Sequence, residues 1–279
     1  MALMPLDEAI LKLRNDPQHA SLVRDAYLGP DVVDSAERFL ASGEFVEVKR
    51  LLGDRIRGAA VVDLGAGTGI ASYAFAKSGA ARVWAIEPDL SGEVGRGALA
   101  RLAGGLPIEA VDSFGENLAL PDACADIVYV RQVLHHAHDL NEVLRQCCRV
   151  LTPGGLFIAC REHVADTPED LARFLQNHPV HQLAGGEHAF ALAQYLAAIR
   201  GAGLQLTAHY TPLDSVINMF PEIRTQDDLT SLPRRRLERR FGALGGMLAM
   251  VPFVRARIRR TLDAALPAGA MHTFVAVKP

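Results

Sequence analysis

Cysteine is scarce. The 279 residues hold four (Cys124, Cys147, Cys148, Cys160), with no C-x-x-C pair and no secretory context, so reduced thiols are expected rather than disulfides. Long apolar runs are also missing. The longest, FGALGGMLAMVPFV, is too short to span a bilayer and is broken by Gly245, Gly246 and Pro252. The opening MALMPLDEAILKLRNDP lacks the basic region and apolar stretch of a secretory signal, so the expectation is a soluble, cytoplasmic protein. A net charge of −3 argues against wholesale nucleic-acid binding, and aromatic residues, 6% of the chain, are not interleaved with the basic ones. Internal repeats and low-complexity tracts are absent.

What is present is ordinary globular composition, 49% hydrophobic and 22% charged. The charge is uneven. RRRLERR and RARIRR place nine arginines and one glutamate between Arg234 and Arg260, a segment of about +8 that leaves the remainder at about −11. From Val61 onward, short β-branched runs alternate with helical stretches, the pattern of a parallel sheet covered by helices. Strands are expected at AVVDLG, ARVWAIE, PIEAV, ADIVYVR, LFIACRE, LQLTAHY and MHTFVAV, with helices near IASYAFAKSGA, EVGRGALARLA, NEVLRQCCRVL and AFALAQYLAAIRGAG. Before Val61 the chain reads as four short helices, and between Tyr210 and Met271 as a second helical region carrying the arginines.

The stretch VVDLGAGTGIAS runs a strand into Asp63 and then Gly65, Gly67 and Gly69 at the entry to a helix. Glycines there permit a tight turn and let backbone N–H groups approach a ligand. The dinucleotide fingerprint G-x-G-x-x-G would need a glycine where Ile70 stands, which disfavours a NAD-dependent oxidoreductase. The next strand ends at Glu87, a carboxylate placed to accept both hydroxyl protons of a ribose.

Together, VVDLGAGTG, VWAIEPD, ADIVYVRQVLHH and RVLTPGGLFIA resemble the class I, Rossmann-like S-adenosylmethionine-dependent methyltransferases of the small-molecule type, over about residues 45 to 210. The resemblance implies an α/β fold with a seven-stranded sheet, order 3-2-1-4-5-7-6 and last strand antiparallel, and helical additions at the N-terminus and between strands 6 and 7. It divides the chain into an N-terminal helical cap (1–56), a cofactor-binding core (57–163, completed by 188–210 and 270–279), a lid insertion (164–187) and an arginine-rich helical insertion (211–269). It places Asp63, Gly65, Ala66, Gly67 and Gly69 around the methionine moiety, Glu87 on the ribose and Pro88 and Asp89 beside it. At the adenine the chain departs from related sequences. VDSFGENLALPD has Phe114 where an aspartate is usual, leaving Asp112, Ser113, Phe114 and Gly115 as candidates.

Ligands of parallel α/β sheets sit beyond the carboxyl ends of the strands. That rule selects Arg131, Gln132, His135 and His136 after strand 4, and Arg161, Glu162 and His163 after strand 5. Methyl transfer from a sulfonium needs alignment above all, and a base only for an acceptor with a high pKa. His163 and His136 are the candidate bases, each weighed against a hydrogen-bonded wall residue; Arg131 and Arg161 are candidates for the methionine carboxylate or an acidic substrate group, weighed equally against structural ion pairing with nearby acids such as Glu162. Tyr27, Arg38, Ser42, Glu44 and Phe45 from the cap, with Gln132, His135, His178 and His181, are candidates for the substrate pocket.

NHPVHQLAGGEH, at 177–188, is expected to latch or line the lid, with Glu187 capping a helix that begins near His188. A zinc loop built from His163, His178, His181 and His188 is weighed against this and set aside, because Pro179 interrupts any helix there; no metal is expected. The functional expectation is S-adenosylmethionine-dependent methylation of a small molecule, O-methylation ahead of N- or C-methylation. The alternative is a non-catalytic regulatory subunit that binds the cofactor or S-adenosylhomocysteine. The 234–260 segment is a candidate contact with a membrane or lipid-linked substrate, against the plainer reading of a solvated basic face.

Overall fold

A computed structural model describes residues 3–279; Met1 and Ala2, the first two residues of the expected cap, lie outside the described residues. Seven strands form one sheet: β1 (Ala60–Leu64), β2 (Arg82–Ile86), β3 (Ile108–Val111), β4 (Ala125–Arg131), β5 (Leu151–His163), β6 (Gln205–Tyr210) and β7 (Met271–Val277). Their order is β3-β2-β1-β4-β5-β7-β6, and β7 runs antiparallel to both neighbours. The central strands β1 and β4 are buried on both faces, which is why they read as near-continuous apolar runs.

The two faces carry separate cores. Leu144, Phe157, Tyr195 and Phe274 pack on one. On the other, Tyr27, Phe39, Phe45, Phe75 and Tyr129 form a chain of ring contacts with centroids 5.0–5.4 Å apart. Phe39 and Phe45 come from the N-terminal helices Val32–Leu40 and Gly43–Leu52, whose starts are fixed by Asp31 and Ser42 accepting from backbone N–H groups. The cap therefore shares the sheet's core.

Two helical expectations fail. EVGRGALARLA forms only one turn, Arg96–Leu99, because the chain folds back there: a side chain at Gly95 would meet the Asp89 carbonyl oxygen at 2.3 Å. The helix expected from His188 begins at Leu192, behind Ala191, so Glu187 caps nothing. Helix Pro168–Asn177 stops at His178, and Pro179 opens the short helix Pro179–Ala184 with His178 as its N-cap. The arginine-rich region folds as helices Gln226–Phe241, Ala243–Leu248 and Pro252–Asp263.

Candidate active site

A cavity of about 760 Å³ opens over the carboxyl ends of β1, β2, β4 and β5. Helix Leu6–Asn15 and helix Pro179–Ala184 roof it: Ile10, Leu13 and Val23 pack on Val94, Val180 and Leu183, and Arg14 is bound to Glu93. A smaller cleft of about 440 Å³ lies between helices Gln226–Phe241 and Pro252–Asp263, away from the strand ends.

The glycine loop leaves β1 on the cavity floor, where Asp63, Gly65, Ala66 and Gly67 all line the space. Gly65 has φ +68°, and a Cβ there would lie 2.4 Å from Val133 Cγ2, so only glycine fits. Asp63 is buried and accepts from Ser72 Oγ at 2.6 Å; burial pushes its carboxyl up to about 6. Glu87 accepts from the N–H groups of Gly67 (2.8 Å) and Asp89 (2.9 Å), and burial raises its pKa. Each carboxylate oxygen thus takes one backbone proton and keeps a lone pair facing the cavity. These residues fit the ribose and amino-acid ends of S-adenosylmethionine: a close-approach glycine turn, an acceptor-only carboxylate at the end of β2, and a second buried acid.

Other expected cofactor positions stand elsewhere. Gly69 starts helix Ile70–Lys77 and packs on Leu99, outside the cavity lining, and Pro88 is also off the lining. Beyond β3, Asp112 is ion-paired with Arg96 at 2.7 Å, Ser113 Oγ accepts from Ala119 N at 3.4 Å, Gly115 lies against Val143, and Phe114 is 65% exposed. This group makes the outer rim beside Glu87 and forms no part of the enclosed wall.

Arg131 departs from its expected role. Its guanidinium forms a two-pronged pair with the fully buried Glu44 (2.6 and 3.1 Å), donates to Gln132 Oε1 and lies over the rings of Tyr27 and Phe39. That geometry commits it to Glu44 rather than to a cofactor carboxylate. Phe45 is likewise no pocket residue; it is wholly buried in the ring chain. Tyr27 does reach the cavity, and its buried hydroxyl has no protein partner. Arg161, on a bulge of β5, also lines it, donating to the carbonyls of Ile217 and Phe220. Tyr27, Gln132 and Arg161 all hold positive φ, and all three border the cavity. Such strain, about 1–3 kcal/mol per residue, concentrates at functional sites.

The facing wall is built of imidazoles. Glu162, wholly buried, accepts from Val133 N, His135 N and His135 Nδ1 (2.8 Å), fixing the loop after β4. Burial would lower His135, but its contacts with Glu162 and Glu187 raise it to about 9. His136 Nδ1 donates to the Gly186 carbonyl at 3.2 Å. His163 Nδ1 donates to the Gly269 carbonyl at 2.6 Å, which leaves Nε2 as an acceptor; burial and the neighbouring His135 charge push it down to about 3. His178 lines the cavity, whereas His181 does not. Glu187 stands at the centre, 3.6 Å from His135 Nε2, 3.6 Å from His136 Nε2 and 3.7 Å from His178 Nδ1, and burial notwithstanding these partners hold it at about 2. The convergence of His135, His136 and Glu187 is the one grouping of metal-ligating type among the described residues, where none was expected.

Asp89, expected beside the ribose, does line the cavity, and sequence reasoning missed Thr68, Ile70, Val94, Pro221, Glu222 and Met271, which line it too. Position within the motif could have flagged Thr68. Glu222 and Met271 carried no signal, since they arrive from the far side of the arginine-rich insertion.

A family profile described as Methyltransferase domain matches residues 62–159. Over 175 residues the chain is 27% identical to a ubiquinone biosynthesis O-methyltransferase of Rhizobium etli, covering 59% of this chain and 68% of that one. It is 36% identical over 115 residues to a dimethylglycine N-methyltransferase of Parasynechococcus marenigrum, 40% of this chain and 41% of the other, so less than half of that relative is spanned. A solved S-adenosylmethionine-dependent methyltransferase from Mesorhizobium loti superposes with a TM-score of 0.57 at 20% identity, over 86% of this chain and all of that one. With the strand order, the glycine turn and Glu87 on one cavity, these matches identify residues 62–159 as a methyltransferase domain on the class I, Rossmann-like S-adenosylmethionine-dependent methyltransferase fold.

Proposed function

We propose that this enzyme O-methylates a small hydroxylated acceptor held between the glycine turn and the imidazole wall. S-adenosylmethionine, when bound, supplies a methyl group on a sulfonium. The observation that carries the reading is the shared cavity: Gly67 and Glu87 on one side, His135, His136 and His163 on the other. His163 presents Nε2 as a hydrogen-bond acceptor but holds a proton only weakly. It therefore suits a hydroxyl that ionises readily, such as a phenol, better than an aliphatic alcohol. His136 stands partly exposed at the rim of the same wall. Tyr27 and Arg161 supply polar contacts on the opposite wall.

The arginine-rich insertion supports contact with an anionic membrane in the cytoplasm. Leu244, Met247, Met250 and Phe253 are exposed together at its tip. Arg236, Arg239, Arg240, Arg255, Arg257 and Arg260 make no ion pair among the described residues. An apolar tip flanked by free cations is the composition of an interfacial anchor. No described helix is long and apolar enough to cross a membrane, and the four cysteines are free thiols, as a reducing compartment requires.

The test is transfer of labelled methyl from S-adenosylmethionine to a panel of phenols, aliphatic alcohols and amines. Phenols should be methylated, and His163→Gln should slow them at least tenfold. Methylation of amines alone would overturn the reading. In parallel, vesicles containing phosphatidylglycerol should co-sediment the protein and neutral phosphatidylcholine vesicles should not; a doubly substituted Met250→Ser, Phe253→Ser tip that sediments equally well would remove the membrane contact.

A further inference from the structure

We propose that His135, His136 and Glu187 form a binding site for one divalent transition-metal ion of the zinc type, open to the cavity and able to take a hydroxyl oxygen of the acceptor. Three observations carry it. First, the two imidazoles are oriented as ligands. Glu162 and the Gly186 carbonyl can only accept, so His135 and His136 each donate through Nδ1 and turn Nε2 away from that tether; an arriving ion displaces the Nε2 proton of His135. A carboxylate or carbonyl tethering the remote nitrogen of a histidine is the usual outer support of a metal ligand.

Second, both Nε2 atoms point at the same oxygen of Glu187, at 3.6 Å each. That gap exceeds the hydrogen-bond range of about 2.7–3.2 Å. It is close to the separation of about 3.3 Å between two ligands of a tetrahedral ion whose bonds are ~2.0 Å long. The three ligand atoms all lie within 4.8 Å of one another. Third, the donor set is two imidazoles and one carboxylate, which suits zinc and its first-row neighbours and leaves positions open. His178 Nδ1 lies 3.7 Å from the other Glu187 oxygen but already accepts the His181 N–H, so it is not counted among the ligands.

The site is formed only when the 185–188 turn lies against the loop after β4, since Gly186 tethers His136 and Glu187 supplies the third ligand. Metal uptake would therefore fasten that turn over the cavity. The role at the acceptor rests on the cavity being the methyl-transfer pocket; the ion site itself does not. An ion at this point would lower the pKa of a bound hydroxyl, which matches the weakness of His163 as a base.

The test uses the full chain, stripped with a chelator and titrated with Co²⁺ as a spectroscopic probe, beside a thermal melt with S-adenosylhomocysteine. One equivalent of Co²⁺ should bind with visible ligand-field absorption. Glu187→Gln and His136→Ala should each weaken it at least tenfold while keeping the stabilisation by S-adenosylhomocysteine. His272→Gln, which breaks the His209–His272 contact between β6 and β7 and touches none of the three ligands, should leave uptake unchanged. If either site variant melts early, paramagnetic shifts of the His135 and His136 ring protons in the parent locate the ion instead. Absence of stoichiometric uptake, or uptake unaffected by both site variants, overturns the metal site. Loss of the S-adenosylhomocysteine response in the parent would instead overturn the cofactor reading.

Discussion

The buried pair Glu44–Arg131 offers a sharp stability test, because it was unexpected and its geometry is well defined. Glu44 is fully buried, bonded to Arg131 at 2.6 and 3.1 Å, and lies 3.9 Å from Arg161. Glu44→Gln keeps the shape and removes the charge, leaving two buried guanidinium groups facing one neutral amide. Breaking one partner of a buried pair costs about 3–5 kcal/mol. At roughly 2–4 °C per kcal/mol for a domain of this size, the melting temperature should fall by on the order of 10 °C. Replacing both partners, Glu44→Leu with Arg131→Met, should recover part of that loss, since it removes one of the two guanidinium groups that the single variant strands and leaves only Arg161. Melts followed by circular dichroism decide it. A single variant within about 2 °C of the parent, or a double variant less stable than the single, would refute the argument that each charge is there to neutralise the other.

Two further outcomes follow from the glycine turn and its acid. Gly65→Ala forces a methyl to 2.4 Å from Val133 in a positive-φ position, and should cost about 3 kcal/mol in urea denaturation; a cost below about 1 kcal/mol would mean the turn relaxes freely. Burial pushes the Asp63 carboxyl up to about 6 from its ordinary 3.8, so its charge opposes folding. Its contribution is most favourable below about pH 4 and declines as pH rises through 6, by up to about 3 kcal/mol. The difference in stability between Asp63→Asn and the parent should therefore grow across that window, and a difference independent of pH would contradict the burial argument.

Seven strands and the four leading helices were legible because their signals are local: β-branched runs bounded by glycine and proline, and apolar residues at helical spacing. EVGRGALARLA misled because its helical periodicity competes with a chain reversal over Asp89, which only the tertiary fold reveals. The floor of the cavity was legible from VVDLGAGTG and Glu87, since strand ends define ligand positions on this topology. The pairing of Arg131 was less so: Glu44 lies 87 residues away, and ion pairing had been weighed with the adjacent Glu162, which instead holds His135. The segment NHPVHQLAGGEH was only partly legible for the same reason. Its useful member is Glu187, and its partners, His135 and His136, come from the loop after β4 rather than from the segment's own His181 and His188.

The central claim is that the glycine turn and Glu87 bind S-adenosylmethionine. Isothermal titration with S-adenosylhomocysteine and with NAD, on the parent and on Glu87→Ala, tests it most directly. One equivalent of S-adenosylhomocysteine should bind, with no heat from NAD, and Glu87→Ala should weaken binding at least about 10- to 100-fold, the worth of the first of two charge-assisted ribose hydrogen bonds at about 1.5–3 kcal/mol each. Binding of NAD, or equal affinity of S-adenosylhomocysteine for parent and variant, would contradict it.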